Sequence, residues 1–259
     1  MDLNKKIRQL TQLLLDSENT IVFTGAGMST ESGLPDFRSP QGLWRGLDPR
    51  RIASLEAFCN NREDFYRFYR RRITSMLEVK PNPGHYRLAR WEGRGLVKGV
   101  ITQNVDRLHS LAGSQRVVEL HGNLHQARCS RCGVTHSSRL LLEDEHCPHC
   151  NGYLRPAVVL FGECLEAADL EAAEDMTRSS ELFVVLGSSL EVSPANWFPR
   201  LARQIGARLV IINNAPTMLD SMADLLLPGQ IGRCLAAVDA LLEEASFKPG
   251  RGLKPAPLP

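Results

Sequence analysis

Five short runs of apolar, largely β-branched residues limit what this chain can fold into: Ile21 to Thr24, Gly99 to Thr102, Val117 to Leu120, Leu182 to Leu186 and Leu209 to Ile212. Several are apolar nearly throughout and lack the alternation of a strand with one face in water, so they read as strands buried on both faces. Helical stretches separate them, and strands alternating with helices form a parallel α/β sheet covered on two sides. The first stretch, MDLNKKIRQLTQLLLDSEN, sets Ile7, Leu10 and Leu14 on one stripe of an amphipathic helix.

The chain has 259 residues, of which 43% are hydrophobic, enough for one large domain or one large and one small. Its 31 Lys and Arg against 29 Asp and Glu leave a formal charge of +2, so no field of one sign covers the surface and no general affinity for nucleic acid or membrane is implied. No run approaches the roughly 18 apolar residues of a membrane span, and the N-terminus lacks the apolar core of a signal peptide. Seven Cys, an odd number with four in two C-x-x-C pairs, point to a reducing, cytoplasmic setting.

The strand and helix pattern breaks once. We expect a discontinuous sheet domain over 1–122 and 156–247, a small metal module over 123–155, and a flexible tail rich in Pro, Lys and Arg over 248–259. In the module, Cys129-x-x-Cys132 and Cys147-x-x-Cys150 are separated by fourteen residues, close to a zinc ribbon. Four thiolates fill a tetrahedral site and leave no place for water, so the metal is expected to be structural, with on the order of 10–16 kcal/mol for ordering the module. His136, His146 and His149 are expected to be solvated, with a Cys₃His set as the alternative; Cys59, Cys164 and Cys234 stand apart as buried or incidental thiols.

After the first run comes GAGMSTESG, with Gly25, Ala26 and Gly27 opening the turn. Glycines let a backbone approach a pyrophosphate, and N–H groups of a following helix add positive potential. Thr30 occupies the third-glycine position of a dinucleotide fingerprint and no acidic residue follows at ~20 residues, which speaks against a hydride-transferring dehydrogenase. Alone, the segment is equally compatible with a tight turn. Next follow Phe37, able to shield a reacting sugar carbon from water, and Arg38, able to pair a phosphate.

Gln103, Asn104, Val105 and Asp106 end an apolar strand, the edge where open α/β sheets bind ligands. Their amides and carboxylate suit a ribose or carboxamide, or else they cap the next helix, the reading favoured for Asn104 taken singly. His121-Gly122 ends another run: an imidazole there can take a hydroxyl proton at neutral pH, with Gly122 leaving room for a substrate. Further on, RPAVVLFGE at 155–163 and GSSLEVSP at 187–194 are extended segments that can hold a peptide strand between them through backbone hydrogen bonds. Ser188 and Ser189 suit phosphate or ribose, and Asn213 suits an adenosine ribose.

GAGMSTESGLPDFRS, TQNVD, HG, the Cys pairs, RPAVVLFGE, GSSLEVSP and INN, in this order, make the chain resemble the sirtuins, NAD-dependent protein-lysine deacylases. The resemblance implies an α/β Rossmann-like domain that binds NAD, an inserted zinc module, and acylated-lysine protein or peptide substrates in the cleft between them. It implies His121 as general base and nicotinamide and O-acyl-ADP-ribose as products. Gly25, Ala26, Gly27, Thr30, Phe37, Arg38, Gln103, Asn104, Val105 and Asp106 would surround the nicotinamide ribose and pyrophosphate. Gly187, Ser188, Ser189, Asn213 and Ile231 would take the adenosine side, and Val159, Phe161, Gly162, Glu163 and Val192 would flank the peptide.

Tyr69 and Arg72, three apart in a helix and so on one face, are similar to the Tyr-x-x-Arg pair of sirtuins that remove succinyl or malonyl groups, with Ala53 where that subgroup keeps a small residue. A charge-assisted Arg–carboxylate contact suits an acidic acyl chain; the alternative is a solvated basic face made by Arg67, Arg70, Arg71 and Arg72. Two other functions compete: mono-ADP-ribosyl transfer from the same activated ribose, and a non-enzymatic zinc ribbon. The ribbon reading is weakened for nucleic acid because aromatics do not interleave with the basic residues of 123–155.

Overall fold

A computed structural model describes residues 2–37, 39–40 and 42–246; Arg38 and the expected tail over 248–259 lie outside the described residues. In chain order the elements begin with α1 (Leu3–Asp16), β1 (Thr20–Thr24) and a 3₁₀ segment (Ala26–Ser32). Then come α2 (Pro49–Ile52), α3 (Leu55–Asn60), α4 (Arg62–Glu78), α5 (Pro83–Gly93), β2 (Gly99–Thr102), α6 (Leu108–Leu111) and β3 (Val117–Glu119). The chain continues through β4 (Gly122–Cys129), β5 (Thr135–Ser137), α7 (Leu140–Glu143) and β6 (Leu154–Val158). It closes with α8 (Ala167–Arg178), β7 (Leu182–Leu186), α9 (Trp197–Gln204), β8 (Arg208–Asn213), a second 3₁₀ segment (Asp220–Met222), β9 (Leu225–Pro228) and α10 (Ile231–Ser246).

Six strands form one parallel sheet in the order β3-β2-β1-β7-β8-β9. Side chains alternate across it. Val22, Val100, Val184, Leu186, Val210 and Ile212 pack on one face with Ile7, Leu10 and Leu14 of α1 and Leu235 and Val238 of α10. On the other face, Ile21, Phe23, Ile101, Phe183, Val185 and Ile211 meet Met176 of α8 and Phe198 of α9. Each large side chain removed from water in this way contributes about 1.5–3 kcal/mol. The five strands read from sequence are all in this sheet, and β9 is an addition: LLLP is too short and too uniformly apolar to announce its period.

The chain builds outward from β1 to β3 and returns to lay β7 against the other edge of β1. This reversal opens a crevice beyond the C-terminal ends of β1 and β7, where ligands enter open α/β sheets. The two loops there touch: the Gly27 N–H donates to the Gly187 carbonyl at 2.9 Å. Gly187 has φ +62°, and a Cβ on it would lie 2.5 Å from the Met28 nitrogen, so only glycine fits.

A second, antiparallel sheet of β5-β4-β6 carries the four clustered cysteines. Helix α4 grips it: Tyr66 Oη donates to the Leu154 carbonyl at 2.8 Å, Arg70 Nε donates to the Leu141 carbonyl at 2.7 Å, and the Arg62 guanidinium lies 3.9 Å from the Tyr153 ring centroid. Among the described residues no helix is long and apolar enough to cross a membrane.

Candidate active site

A cavity of about 970 Å³ lies over the crevice and runs toward the small sheet. Every cofactor, substrate and catalytic residue anticipated from the sequence lines it, apart from Arg38, which is not described, and Asp106. Asp106 lines an adjoining cavity of about 490 Å³ that shares Ala26, Phe37, Arg72, Asn104 and Val105 with the first. Segments up to two hundred residues apart thus converge on one place.

Its floor is bolted together by polar side chains. Asn104 Nδ2 donates to the Gly25 carbonyl at 3.0 Å and lies 3.2 Å from Ser29 Oγ, which donates to Asp106 Oδ2 at 2.7 Å. This corrects the cap reading of Asn104: the backbone N–H of Leu108 at the start of α6 is bound by Asp106 Oδ1 at 2.9 Å, while Asn104 ties the strand end to the glycine turn. Burial pushes the Asp106 carboxyl upward, opposed by its bonds from Ser29 and Leu108. Gln103 Nε2 donates to Ser188 Oγ at 2.8 Å, joining the β2 and β7 loops. Asn213 Nδ2 donates to the Ala215 carbonyl at 2.7 Å, which leaves its carbonyl oxygen for a ligand.

His121 sits where the two halves meet. Its Nδ1 is 3.0 Å from the Gln103 carbonyl, an acceptor, so Nδ1 carries the proton and Nε2 is left basic. Its own carbonyl accepts from the Val159 N–H at 2.9 Å, so the imidazole is held between the cofactor-side strand and the segment expected to receive peptide. Burial lowers its pKa, with the bond to Gln103 acting the other way, and the ring is neutral at pH 7. Gly122 does not serve to leave room for substrate: at φ +68° its Cβ would come 2.2 Å from the Ala157 carbonyl oxygen, so glycine is required by the closeness of β6.

On the substrate side, Phe161 exchanges backbone hydrogen bonds with α3's entrance, its N–H to Ala53 and its carbonyl from Leu55. Glu163 is braced by Arg155 at 2.6 and 2.9 Å and accepts from the Leu160 N–H, so its carboxylate shapes the loop and is not free for a ligand. Tyr69 is buried, and burial pushes its hydroxyl pKa up to about 12, leaving it a proton donor. The Arg72 guanidinium lies 5.3 Å from the Phe37 ring centroid and 5.8 Å from that of Phe68. The basic run of α4 therefore divides: Arg67 pairs with Glu63 and Asp64, Arg70 with Glu145, and Arg72 faces the cavity.

Sequence reasoning gave no role to Trp44, which stacks on Phe37 and Phe68 at 5.3 and 5.8 Å and lines the cavity, or to Glu31, at the mouth it shares with Thr30, Gln230 and Ile231. Gly232 was the available signal for the close approach that Glu31 makes.

The ligand atoms of Cys129, Cys132, Cys147 and Cys150 all lie within 4.8 Å of one another, with Sγ pairs at 3.5 and 3.8 Å. Four thiolates at that separation suit tetrahedral Zn²⁺ with Zn–S bonds of about 2.3 Å, a filled structural sphere. Two histidines depart from expectation: His136 is half-buried, with Nε2 3.3 Å from Cys147 Sγ, and so contacts the ligand shell. His146 is also half-buried, against Tyr153 and Asp144.

The model of the Sir2 family matches residues 25–194. An NAD-dependent protein deacetylase of Oceanobacillus iheyensis is 49% identical over 227 residues, 87% of this chain and 96% of that protein. An NAD-dependent protein deacylase 2 of Pyrobaculum aerophilum is 43% identical over 228 residues, 87% of this chain and 92% of that one. A Sir2 structure with a deacetylated p53 peptide and 3′-O-acetyl-ADP-ribose is similar at TM-score 0.87 and 37% identity, over 93% of this chain and 99% of that chain.

Proposed function

Because this chain belongs to the Sir2 family and is an NAD-dependent protein-lysine deacylase, we propose that His121 is its general base and that Tyr69 and Arg72 extend its range from acetyl to succinyl and malonyl groups. The products are the deacylated lysine, nicotinamide and O-acyl-ADP-ribose. The carrying observation is the position of His121 between the Gln103 carbonyl, which accepts from its Nδ1, and the Val159 backbone; Nε2 is then the basic nitrogen.

Bound NAD supplies an electrophilic sugar carbon and nicotinamide as its leaving group. The glycine turn and the loops after β2 and β7 hold the dinucleotide across the crevice. The segments over 159–163 and 191–194 take the peptide as an added strand, which places few demands on its sequence. Phe37 and Trp44 would shield the sugar carbon from water, and His121 Nε2 would take the proton of a ribose hydroxyl once the acyl oxygen has displaced nicotinamide from that carbon. Zinc holds the small sheet that forms one wall, and the reduced thiolates it requires fit a cytoplasmic enzyme.

The test follows nicotinamide and deacylated peptide together, with NAD and acyl-lysine peptides. His121→Ala is expected to lower coupled turnover by about 10²–10⁴-fold, the range of general base catalysis. Unchanged turnover in that variant would remove His121 from the role.

A further inference from the structure

Beneath the floor of the cavity lie two histidines that the reaction does not use. His85 of α5 and His109 of α6 are 0% and 1% exposed, and their ring centroids are 4.8 Å apart at an interplanar angle of 61°. On each ring one nitrogen is engaged and the other is buried without a hydrogen-bond partner. His85 Nδ1 accepts from the backbone N–H of Asn82 at 3.3 Å, so its proton is on Nε2, the unpartnered nitrogen. His109 Nε2 lies 3.0 Å from Thr24 Oγ1, whose own proton goes to Thr102 Oγ1 at 2.7 Å. The Thr24 oxygen must then accept, which places the His109 proton on Nε2 and leaves Nδ1 bare. The spare donor of His85 and the spare acceptor of His109 are thus of complementary kind, on rings packed edge to face.

The chain of bonds leads into the cavity. Thr102 Oγ1 also accepts from the backbone N–H of Asn104 at 3.0 Å, and Asn104 holds the Gly25 carbonyl. Thr24 immediately precedes Gly25, and Asn82, which caps α5 beside His85, donates from Nδ2 to the Met28 carbonyl at 2.9 Å. The histidine pair thus reaches the glycine turn from below at Thr24 and Met28 and the Gln103–Asp106 segment at Asn104.

We propose that His109, backed by His85, is a positioning residue for NAD: as a neutral imidazole protonated on Nε2 it fixes Thr24, Thr102 and the Asn104 backbone, so that the two loops lining the cavity keep one geometry. The inference rests on the reading of those loops as the dinucleotide site. It assigns a function to a pair of buried polar rings where an apolar filling would pack without leaving two nitrogens unsatisfied.

The experiment uses the full chain with zinc bound and measures the NAD Kd by calorimetry, KM and kcat with an acyl-lysine peptide, and imidazole ¹⁵N shifts. Thr24→Val keeps the shape of a buried strand residue and deletes the link. It is expected to raise KM and Kd for NAD by about fivefold, the factor one neutral hydrogen bond carries, with kcat changed much less. His109→Gln, whose amide can donate to Thr24, is expected to bind NAD more tightly than His109→Leu. The ¹⁵N shifts of the wild type are expected to show both rings neutral and protonated on Nε2. Thr24→Val with wild-type KM, or a His109 proton on Nδ1, would overturn the inference while leaving the NAD site intact. A wild-type chain that binds no NAD would defeat the reading of the cleft and this inference with it.

Discussion

Glu31 Oε1 accepts from the backbone N–H of Gly232 at 2.8 Å, joining the 3₁₀ segment after β1 to the first turn of α10 across 201 residues of sequence. A carboxylate at a helix N-terminus is favourable by roughly 0.3–1 kcal/mol at an exposed site. The contact closes the mouth of the cavity where Thr30, Glu31, Gln230 and Ile231 meet, the end proposed for the adenosine of NAD. It also requires glycine: a Cβ on Gly232 would lie 2.0 Å from Glu31 Oε2. Gly232→Ala is therefore expected to displace Glu31 and raise the KM for NAD, with little change in kcat once NAD saturates. Glu31→Gln keeps an acceptor and is expected to fall between Gly232→Ala and wild type in steady-state kinetics. Equal KM values for all three proteins would show that the mouth needs no such closure.

Zinc removal should be felt beyond its own module. Cys129 and Cys147 pack in the same apolar cluster as Phe65, Tyr69 and Ile73 of α4, and Tyr66, Arg70 and Arg62 fasten that helix to the small sheet. Structural zinc binding is folding free energy for the residues it orders. Chelation is expected to raise amide hydrogen exchange throughout β4, β6 and α4 while β1, β7 and β8 keep their protection. Exchange confined to the cysteine loops would mean that α4 is held by the main domain alone.

Arg72 and Tyr69 set the third expectation. A charged hydrogen bond lost from a half-buried site costs about 1.5–3 kcal/mol, which is roughly ten- to a hundredfold in rate. Arg72→Met is expected to lower kcat/KM for a succinyl-lysine peptide by that factor and to leave the matched acetyl peptide within about threefold, a change too small for a lost charged hydrogen bond. Tyr69→Phe, which removes only a hydroxyl, is expected to have the smaller effect. Parallel losses on both peptides would mean that Arg72 supports the cavity through Phe37 and Phe68 and does not read the acyl chain.

The parts of this molecule that were legible are those whose physics is local. Strands such as Leu182–Leu186 are buried on both faces and announce it by their composition, and the cysteine spacing is short enough to specify its own geometry. Taken singly, Asn104 reads as a helix cap because an asparagine after a strand has a strong local preference for capping, and only the fold brings Gly25 and Ser29 within its reach. Gly122 was read as room for a ligand, whereas β6, more than thirty residues later, supplies the constraint. Trp44, His85 and His109 carried no signal of their own, and Glu31 only the indirect one of Gly232, since their partners lie on other elements. What sequence reveals poorly here is the bracing behind the site, which depends on side chains meeting across the sheet.

Acid should destabilise the fold through the same buried histidines. Burial lowers the pKa of His85 to about 4 and that of His109 well below its ordinary value, while an unfolded chain has both near 6.5. Below pH 6.5 the unfolded state takes up protons that the folded state refuses. The stability these groups contribute is thus fully present above pH 6.5 and declines as pH falls toward the folded pKa, for His85 over the window from 6.5 to about 4. Integrated between pH 7 and 5, His85 alone accounts for about 2 kcal/mol. Urea unfolding at pH 7 and pH 5 is expected to show at least that loss in the wild type. In His85→Phe, which lowers stability at both pH values, the difference between them should shrink by a comparable amount. A wild-type stability flat across this range would mean that His85 is protonated in the folded chain, with water reaching its ring.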